Sequence, residues 1–161
     1  ASENYGIQVI SGTLEDEVFA PGSFDLVTMW DVIEHLPNPV HTLNIINKIL
    51  KPAGVLTLTT GDIASLFAKI SGAKWHLINI PEHVFYFNPK SIAEVLNKTG
   101  FKIIQIKYES SYYAVQYLLE RLEKTMLPKS IVSLFKNIFP MEATLPMNLF
   151  DIMTVYAVKS D

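Results

Sequence analysis

The sequence contains no cysteine, which excludes disulfides, thiolate metal sites and a cysteine nucleophile. This composition fits a reducing compartment, and we expect a cytosolic protein. Long apolar runs are also missing: none approaches the roughly 18 residues of a membrane-spanning helix. The first residues show no basic-then-apolar leader, and the chain does not begin with methionine, so we expect a piece of a longer protein.

Neither positive nor negative charge predominates in the sequence. The 13 Lys and Arg residues and the 16 Asp and Glu residues give a net charge of -3, with no basic cluster. A surface that binds nucleic acid or an anionic membrane needs such a cluster, so we expect neither partner. What the sequence does have is 49% hydrophobic residues over 161 positions, enough for one domain, residues 1–161, with a real core.

The hydrophobic pattern predicts strands that alternate with helices. Short apolar runs predict strands at residues 7–10, 24–29, 55–60, 101–108 and 150–159. Residues 39–50 show helical spacing, and Pro52 and Gly54 then stop the helix. A further helix begins at Asn88 and stops at Gly100. Strand, helix and strand joined by short connections predict a βαβ unit, so the expected fold class is α/β with parallel strands.

A stripe of apolar residues marks a later helix. It consists of Val115, Leu118, Leu119, Leu122 and Met126, and a second helix is expected over residues 129–139. The stripe predicts packing against a core, and the alternative is a surface for a partner or a lipidic acceptor.

A polar cluster follows the second predicted strand, in the stretch FDLVTMWDVIEHLPNP at residues 24–39. Asp31, Glu34 and His35 are spaced i, i+3 and i+4, so on a helical turn they would share one face. Asp31 can cap the start of a helix, with Glu34 in its first turn. Alternatively, His35 can act as a general base, because imidazole exchanges protons near neutral pH.

Several segments together resemble a known family. They are GTLED at 12–16, SFDLVTMWDVIEHLPNP at 23–39, LKPAGVLTLTT at 50–60 and PEHVFYFNPKSIAEVLNKTGF at 81–101. They are similar to class I S-adenosylmethionine-dependent methyltransferases, above all the type 11, type 12 and ubiquinone-biosynthesis O-methyltransferase branch. The resemblance implies a Rossmann-like sheet in the order 3-2-1-4-5-7-6, with the last strand antiparallel. Residues 7–10 would be strand three, strands one and two would be absent, and a helical insertion would precede the final strand.

The absent strands have a chemical consequence. In this family a glycine-rich loop after strand one approaches the cofactor, and an acid after strand two holds its ribose. The seven glycines of the chain include no G-x-G pair. We therefore expect the C-terminal two-thirds of a methyltransferase domain, inactive by itself. Residues 7–10 would either pair with the open sheet edge or lie outside the sheet. Alternatively, the edge would recruit a second copy of the chain into a homo-oligomer.

The resemblance also assigns cofactor residues. With S-adenosylmethionine as cofactor, Thr13 and Leu14 would meet the adenine edge, and Trp30 and Asp31 would line the pocket at the end of strand four. The plainer alternatives are an ordinary surface turn at Thr13 and a core aromatic at Trp30.

On the acceptor side, the resemblance assigns catalytic roles to His35 and His83, facing a small-molecule acceptor. The aromatic-rich segment 61–87, which also holds His76, would line the acceptor pocket; the alternative is a packed core with satisfied histidines. The ubiquinone branch is known for a divalent metal at positions that match Asp31, Glu34 and His35, but we expect no metal here.

Two classes of function therefore remain. The first is methyl transfer to a small molecule, which needs no covalent nucleophile because the sulfonium already activates the methyl group. The second is a non-catalytic binding or structural domain. A nicotinamide-dependent dehydrogenase is disfavoured, since the stretch at 24–39 followed by KPAG matches the methyltransferase pattern instead.

Overall fold

The computed structural model describes residues 5–14, 19–125, 128–136, 138, 140 and 142–160. Its elements in chain order are β1 (Phe24–Trp30), α1 (Pro39–Ile49), β2 (Leu50–Gly61), α2 (Leu66–Ser71), α3 (Pro89–Lys98), β3 (Phe101–Lys107), β4 (Ser111–Ala114), α4 (Val115–Thr125), α5 (Lys129–Lys136), β5 (Thr144–Met147) and β6 (Ile152–Lys159). Short 3₁₀ turns lie at Ile33–His35 and Gly72–Lys74.

The main sheet has four strands in the order β1-β2-β6-β3. Strands β1 and β2 are parallel and are joined through α1, which confirms the predicted βαβ unit. Strand β6 enters between β2 and β3 and is antiparallel to both. The fold is therefore α/β and Rossmann-like, with a mixed sheet.

One face of this sheet carries the core. Cross-strand partners Leu56 and Ala157, and Leu58 and Val155, point to that face and are fully buried. They pack with residues of both flanking helices, namely Leu43 and Ile46 of α1 and Ile92 and Leu96 of α3. Burial of this shared face provides the main driving force for folding.

The opposite face is open along β1. Because side chains alternate along a strand, Leu26 and Trp30 project on this second face together with their partners Val55 and Thr59. Leu26 and Trp30 are each more than half exposed. The described chain therefore covers its sheet on one side far better than on the other.

The predicted strand at residues 7–10 is wrong. The segment has no strand structure, and Ile7, Val9 and Ile10 are each more than half exposed. Within the described residues, β1 pairs only with β2. A run of four residues gains stability as a strand only from an in-register neighbour and a covered face, and here it has neither. Of the three outcomes expected for this segment, it leaves the sheet.

Helix ends follow the local chemistry of the sequence. The Asn38 side chain accepts a hydrogen bond from the His41 amide at the start of α1, and Pro39 occupies the first turn. Asn88 and Ser91 form a reciprocal capping box at the start of α3. At the other end of α1, the Lys159 ammonium donates to the carbonyl oxygen of Leu50 at 2.9 Å, where a cation complements the helix dipole.

Between β3 and β6 the chain forms two helices and a small ribbon of β4 and β5. A separate apolar cluster of Val115, Leu119 and Val132 holds this unit together. Packing is therefore the observed role of Val115 and Leu119 within the predicted stripe. The Leu122 side chain and Met126 lie outside the described residues.

Candidate functional site

The parallel strands β1 and β2 end side by side, with Trp30 in register with Thr59. In open α/β sheets ligands bind beyond the carboxyl ends of such strands, so this edge is the candidate site. Trp30 is 56% exposed, so it does not cap the core. Its indole stands free at the edge, available to flank a ligand.

Asp31 follows β1 in a left-handed conformation, with a φ of 52°. Its amide donates to the Thr59 hydroxyl at 2.9 Å, and that hydroxyl donates to the Asp31 carboxylate, also at 2.9 Å. This reciprocal pair stabilises an unfavourable backbone conformation and fixes the direction of the chain as it leaves the sheet. The predicted helix cap is therefore wrong: the turn Ile33–His35 has Val32, not Asp31, at its N-cap position, and no side chain caps it.

Asp31, Glu34 and His35 do not share one face. The left-handed residue and the tight 3₁₀ turn replace the regular helix that the spacing assumed. Asp31 is held at Thr59, whereas Glu34 is buried and His35 is exposed. A metal held jointly by the three therefore does not fit.

A different group of side chains is brought together instead. Ligand atoms of Glu34, His35 and His83 all lie within 4.8 Å of one another. The rings of His35 and His83 meet edge to face, with centroids 4.6 Å apart. Two imidazoles and a carboxylate can move protons, and the same donors can also hold a transition metal.

His35 is oriented by a backbone carbonyl. Its Nδ1 lies 2.8 Å from the Glu82 carbonyl oxygen. A carbonyl can only accept a hydrogen bond, so Nδ1 carries the proton. This assigns the tautomer in which a neutral His35 has its lone pair on Nε2, as a general base requires.

Glu34 joins the turn to the segment 82–87. Its carbonyl oxygen accepts hydrogen bonds from the amides of Val84, at 2.9 Å, and Phe85, at 3.1 Å. Glu34 also lines a small cavity of about 10 Å³, room for about one water molecule. The cavity is lined by Glu34, Thr60, Gly61, Trp75, Leu77, His83, Phe85, Tyr86 and Phe87.

Gly61 lets the aromatic segment approach the end of β2. A Cβ atom there would lie 2.6 Å from the Leu77 Cδ1 and 3.0 Å from the Trp75 ring. Any larger residue would push these two walls of the cavity outwards.

A buried polar network anchors the same segment. The Trp75 indole N–H donates to the Asp151 carboxylate at 2.8 Å, and the His76 ring lies 3.5 Å from that carboxylate. His76 is thus packed beside an acid, in agreement with the alternative of a packed core with satisfied histidines. The Asp62 amide donates to the Asp151 carbonyl, and the Tyr108 hydroxyl donates to the Asp62 carboxylate at 2.7 Å.

Sequence reasoning missed Thr59, Asp62 and Asp151 as members of this edge. A signal existed, because Asp62 directly follows β2 and Asp151 directly precedes β6. Polar residues at the ends of buried strands are candidates for an edge site. Of the assigned cofactor residues, Leu14 is half-buried against the main core and Thr13 is exposed.

Tyr108 should give a pH-dependent stability. Burial, reinforced by Asp62, raises the pKa of Tyr108 from 10.0 to about 12. The unfolded chain then releases this proton at lower pH than the folded chain, so stability should fall as pH rises from about 10 to about 12. Urea unfolding at several alkaline pH values should show that Tyr108→Phe removes part of this loss. The matched variant Tyr5→Phe, at an exposed position, should not; equal slopes for both variants would contradict the assignment.

In the described part of the chain, no helix is both long and apolar enough to cross a bilayer.

Comparisons with known proteins agree with this architecture. A family model described as a methyltransferase domain matches residues 6–106. A ubiquinone biosynthesis O-methyltransferase of Burkholderia vietnamiensis is 26% identical over 93 residues, which cover 54% of this chain and 40% of that protein. Its counterpart in Pseudomonas aeruginosa is 29% identical over 106 residues, covering 62% and 44%. The chain thus spans less than half the length of these curated relatives.

Solved structures show the same fold. A SAM-dependent methyltransferase of Thermotoga maritima aligns with a TM-score of 0.59 at 17% identity, covering 96% of this chain and 65% of that one. Another, from Archaeoglobus fulgidus, aligns with a TM-score of 0.50 at 18% identity, covering 87% and 62%.

Proposed function

Since the chain belongs to the class I S-adenosylmethionine-dependent methyltransferases, we propose that its protein transfers a methyl group from S-adenosylmethionine to a small-molecule acceptor. One observation carries this proposal. The carboxyl edge of β1 and β2, where Trp30 stands exposed, lies beside an aromatic cavity that holds an acid and a histidine. The site thus offers one position for a cofactor and an adjacent one for an acceptor.

On the cofactor side we assign Trp30, Asp31, Thr13 and Leu14, with Thr59 as the partner of Asp31. The Trp30 indole forms a wall, and the bonds between Asp31 and Thr59 fix the backbone that faces the cofactor. Thr13 and Leu14 are assigned to the adenine edge. An apolar slot with one or two polar groups is sufficient for such a ring.

On the acceptor side we assign His35 and His83. When bound, S-adenosylmethionine supplies a methyl group that its sulfonium already activates. The protein then has to align the acceptor for in-line attack and, for a protonated nucleophile, remove a proton. His35 presents Nε2 for that purpose, while His83 lines the cavity and contacts the His35 ring. No metal is assigned a role.

We further propose that this chain holds only part of the cofactor site. Among the described residues, Leu26 and Trp30 lie on an open face and one edge of β1 has no partner strand. Both support this, because an apolar strand edge normally has a cover. The cover we assign is the pair of preceding strands that carry a glycine loop and a ribose-binding acid. A second copy of the chain is the alternative cover and would give a homo-oligomer.

Titration with S-adenosylhomocysteine tests both proposals. Calorimetry should detect binding to the longest natural protein that contains this sequence. The 161-residue chain alone should bind at least about tenfold weaker, because in this proposal the preceding strands supply the hydrogen bonds to the ribose. Equal affinities would refute the incomplete site. If the longer protein does not bind at all, the non-catalytic alternative is correct. Sedimentation of the short chain would reveal a dimer.

A further inference from the structure

Glu34 is a buried acid with an unused oxygen. The residue is 5% exposed, and its Oε2 has no hydrogen-bond partner among the described residues. Buried carboxylates without partners are rare, because the lost hydration is not replaced. The backbone carbonyl of the same residue is fully engaged by Val84 and Phe85, so the fold holds Glu34 in this position. Such a group indicates a ligand that supplies the missing hydrogen-bond partner of Oε2.

The surroundings define the chemistry of that ligand. The cavity that Glu34 lines also has aromatic rings in its wall, with Phe85 and Phe87 centroids 6.1 Å apart. None of the residues that line it carries a permanent positive charge. Among the donors of the lining residues, the Trp75 indole N–H is already committed to Asp151. The Tyr86 hydroxyl accepts a hydrogen bond from the Asn79 amide. The wall therefore offers Glu34 no permanent cation, and Oε2 has no hydrogen-bond partner among the described residues.

We propose that Glu34 and the surrounding rings bind the ammonium group of the methyl acceptor, which identifies the acceptor as a primary amine. The ammonium nitrogen has no lone pair, so it first gives one proton to a neutral imidazole of His35 or His83, whose ligand atoms lie within 4.8 Å of the Glu34 carboxylate. The neutral amine then attacks the methyl group, and S-adenosylhomocysteine is released. A carboxylate forms strong charge-assisted hydrogen bonds with an ammonium, and aromatic faces attract the same cation. A cavity of about 10 Å³ admits one such head group in place of a water molecule. This inference rests on the proposed function, and it adds the class of acceptor. Glu34 is a specificity residue in this account, because recognition of the cation is its role.

Methylammonium chloride is the probe that tests the site, with methanol as its neutral counterpart. Each is titrated into the chain while NMR follows the Trp75 indole N–H, which lies in the cavity wall. Methylammonium should produce a saturable shift and methanol should not. Glu34→Gln keeps the shape but removes the charge, and should weaken binding about tenfold or more. Glu94→Gln makes the same change at an exposed position of α3 and should bind like the unmodified chain.

A second variant guards against an indirect effect of the first. Phe85→Leu keeps an apolar wall but removes a ring, and should weaken methylammonium binding by about threefold or more. The inference is overturned if Glu34→Gln binds methylammonium normally, or if methanol binds as well as the cation. It is also overturned if MnCl₂ saturates the group formed by Glu34, His35 and His83 while methylammonium leaves the Trp75 signal unchanged. Because no cofactor is present in this test, its failure would leave S-adenosylhomocysteine binding, and hence the proposed function, unaffected.

Discussion

Replacing His35 with glutamine is expected to lower kcat by about 10²–10⁴-fold with little change in KM. The reason lies in the contact between His35 and Glu82. The carbonyl holds Nδ1–H, so the lone pair of the neutral ring is at Nε2, where it can accept a proton from the acceptor. Glutamine has a similar reach but no basic nitrogen. The loss should therefore appear in the chemical step and not in binding.

The measurement is release of S-adenosylhomocysteine by the full natural protein, with an acceptor found by screening small primary amines and hydroxylated aromatics. His41→Gln is the matched control, because His41 is exposed on α1 outside the site. The control should retain activity and its pH profile, whereas His35→Gln should lose the limb of the profile that reports a base. Unchanged kcat in His35→Gln would remove His35 from the proposed chemistry.

Replacing Asp151 with alanine is expected to destabilise the chain by about 3 kcal/mol. The carboxylate is fully buried, accepts the Trp75 indole N–H at 2.8 Å and lies beside His76. Without it, a buried indole donor and a partly buried imidazole lose their partner together. The walls of the cavity should loosen as well, because Trp75 is one of them.

Denaturant unfolding measures this effect, and two controls sharpen it. Asp151→Asn keeps an oxygen for the Trp75 indole and should cost less than alanine. Asp25→Ala breaks an exposed ion pair with Lys51 and should cost no more than about 1 kcal/mol. If Asp151→Ala were as mild as Asp25→Ala, the network would not anchor the aromatic segment. Loss of near-ultraviolet ellipticity from Trp75 would show that the segment itself responds.

The scaffold was predictable from the sequence because its signals are local. Continuous apolar runs, helical spacing in 39–50 and an Asn-Pro start at residue 88 each determine one element without help from distant residues. The parallel pairing of β1 and β2 then follows from the short connections. The strand predicted at residues 7–10 does not form, because it needed a neighbouring strand that the described chain does not provide.

The candidate site was less predictable because distant contacts determine it. The spacing of Asp31, Glu34 and His35 suggested one helical face. The direction of each side chain is instead set by Thr59 and by residues 82–85, which are 28 and about 50 positions away. No periodicity encodes such contacts. The assignment of His35 and His83 to the acceptor side came from the resemblance, and only the folded chain shows that the two rings are in contact.

The two hydrogen bonds from Val84 and Phe85 to the Glu34 carbonyl have a consequence for protein engineering. They join the aromatic rim to Glu34, a residue that lines the same cavity. The rim therefore cannot be exchanged as an independent specificity loop. A graft of residues 82–87 from another enzyme would have to bring its own 33–35 turn, or keep two amides in register with this one. Redesign of the pocket has to treat the two segments as one module.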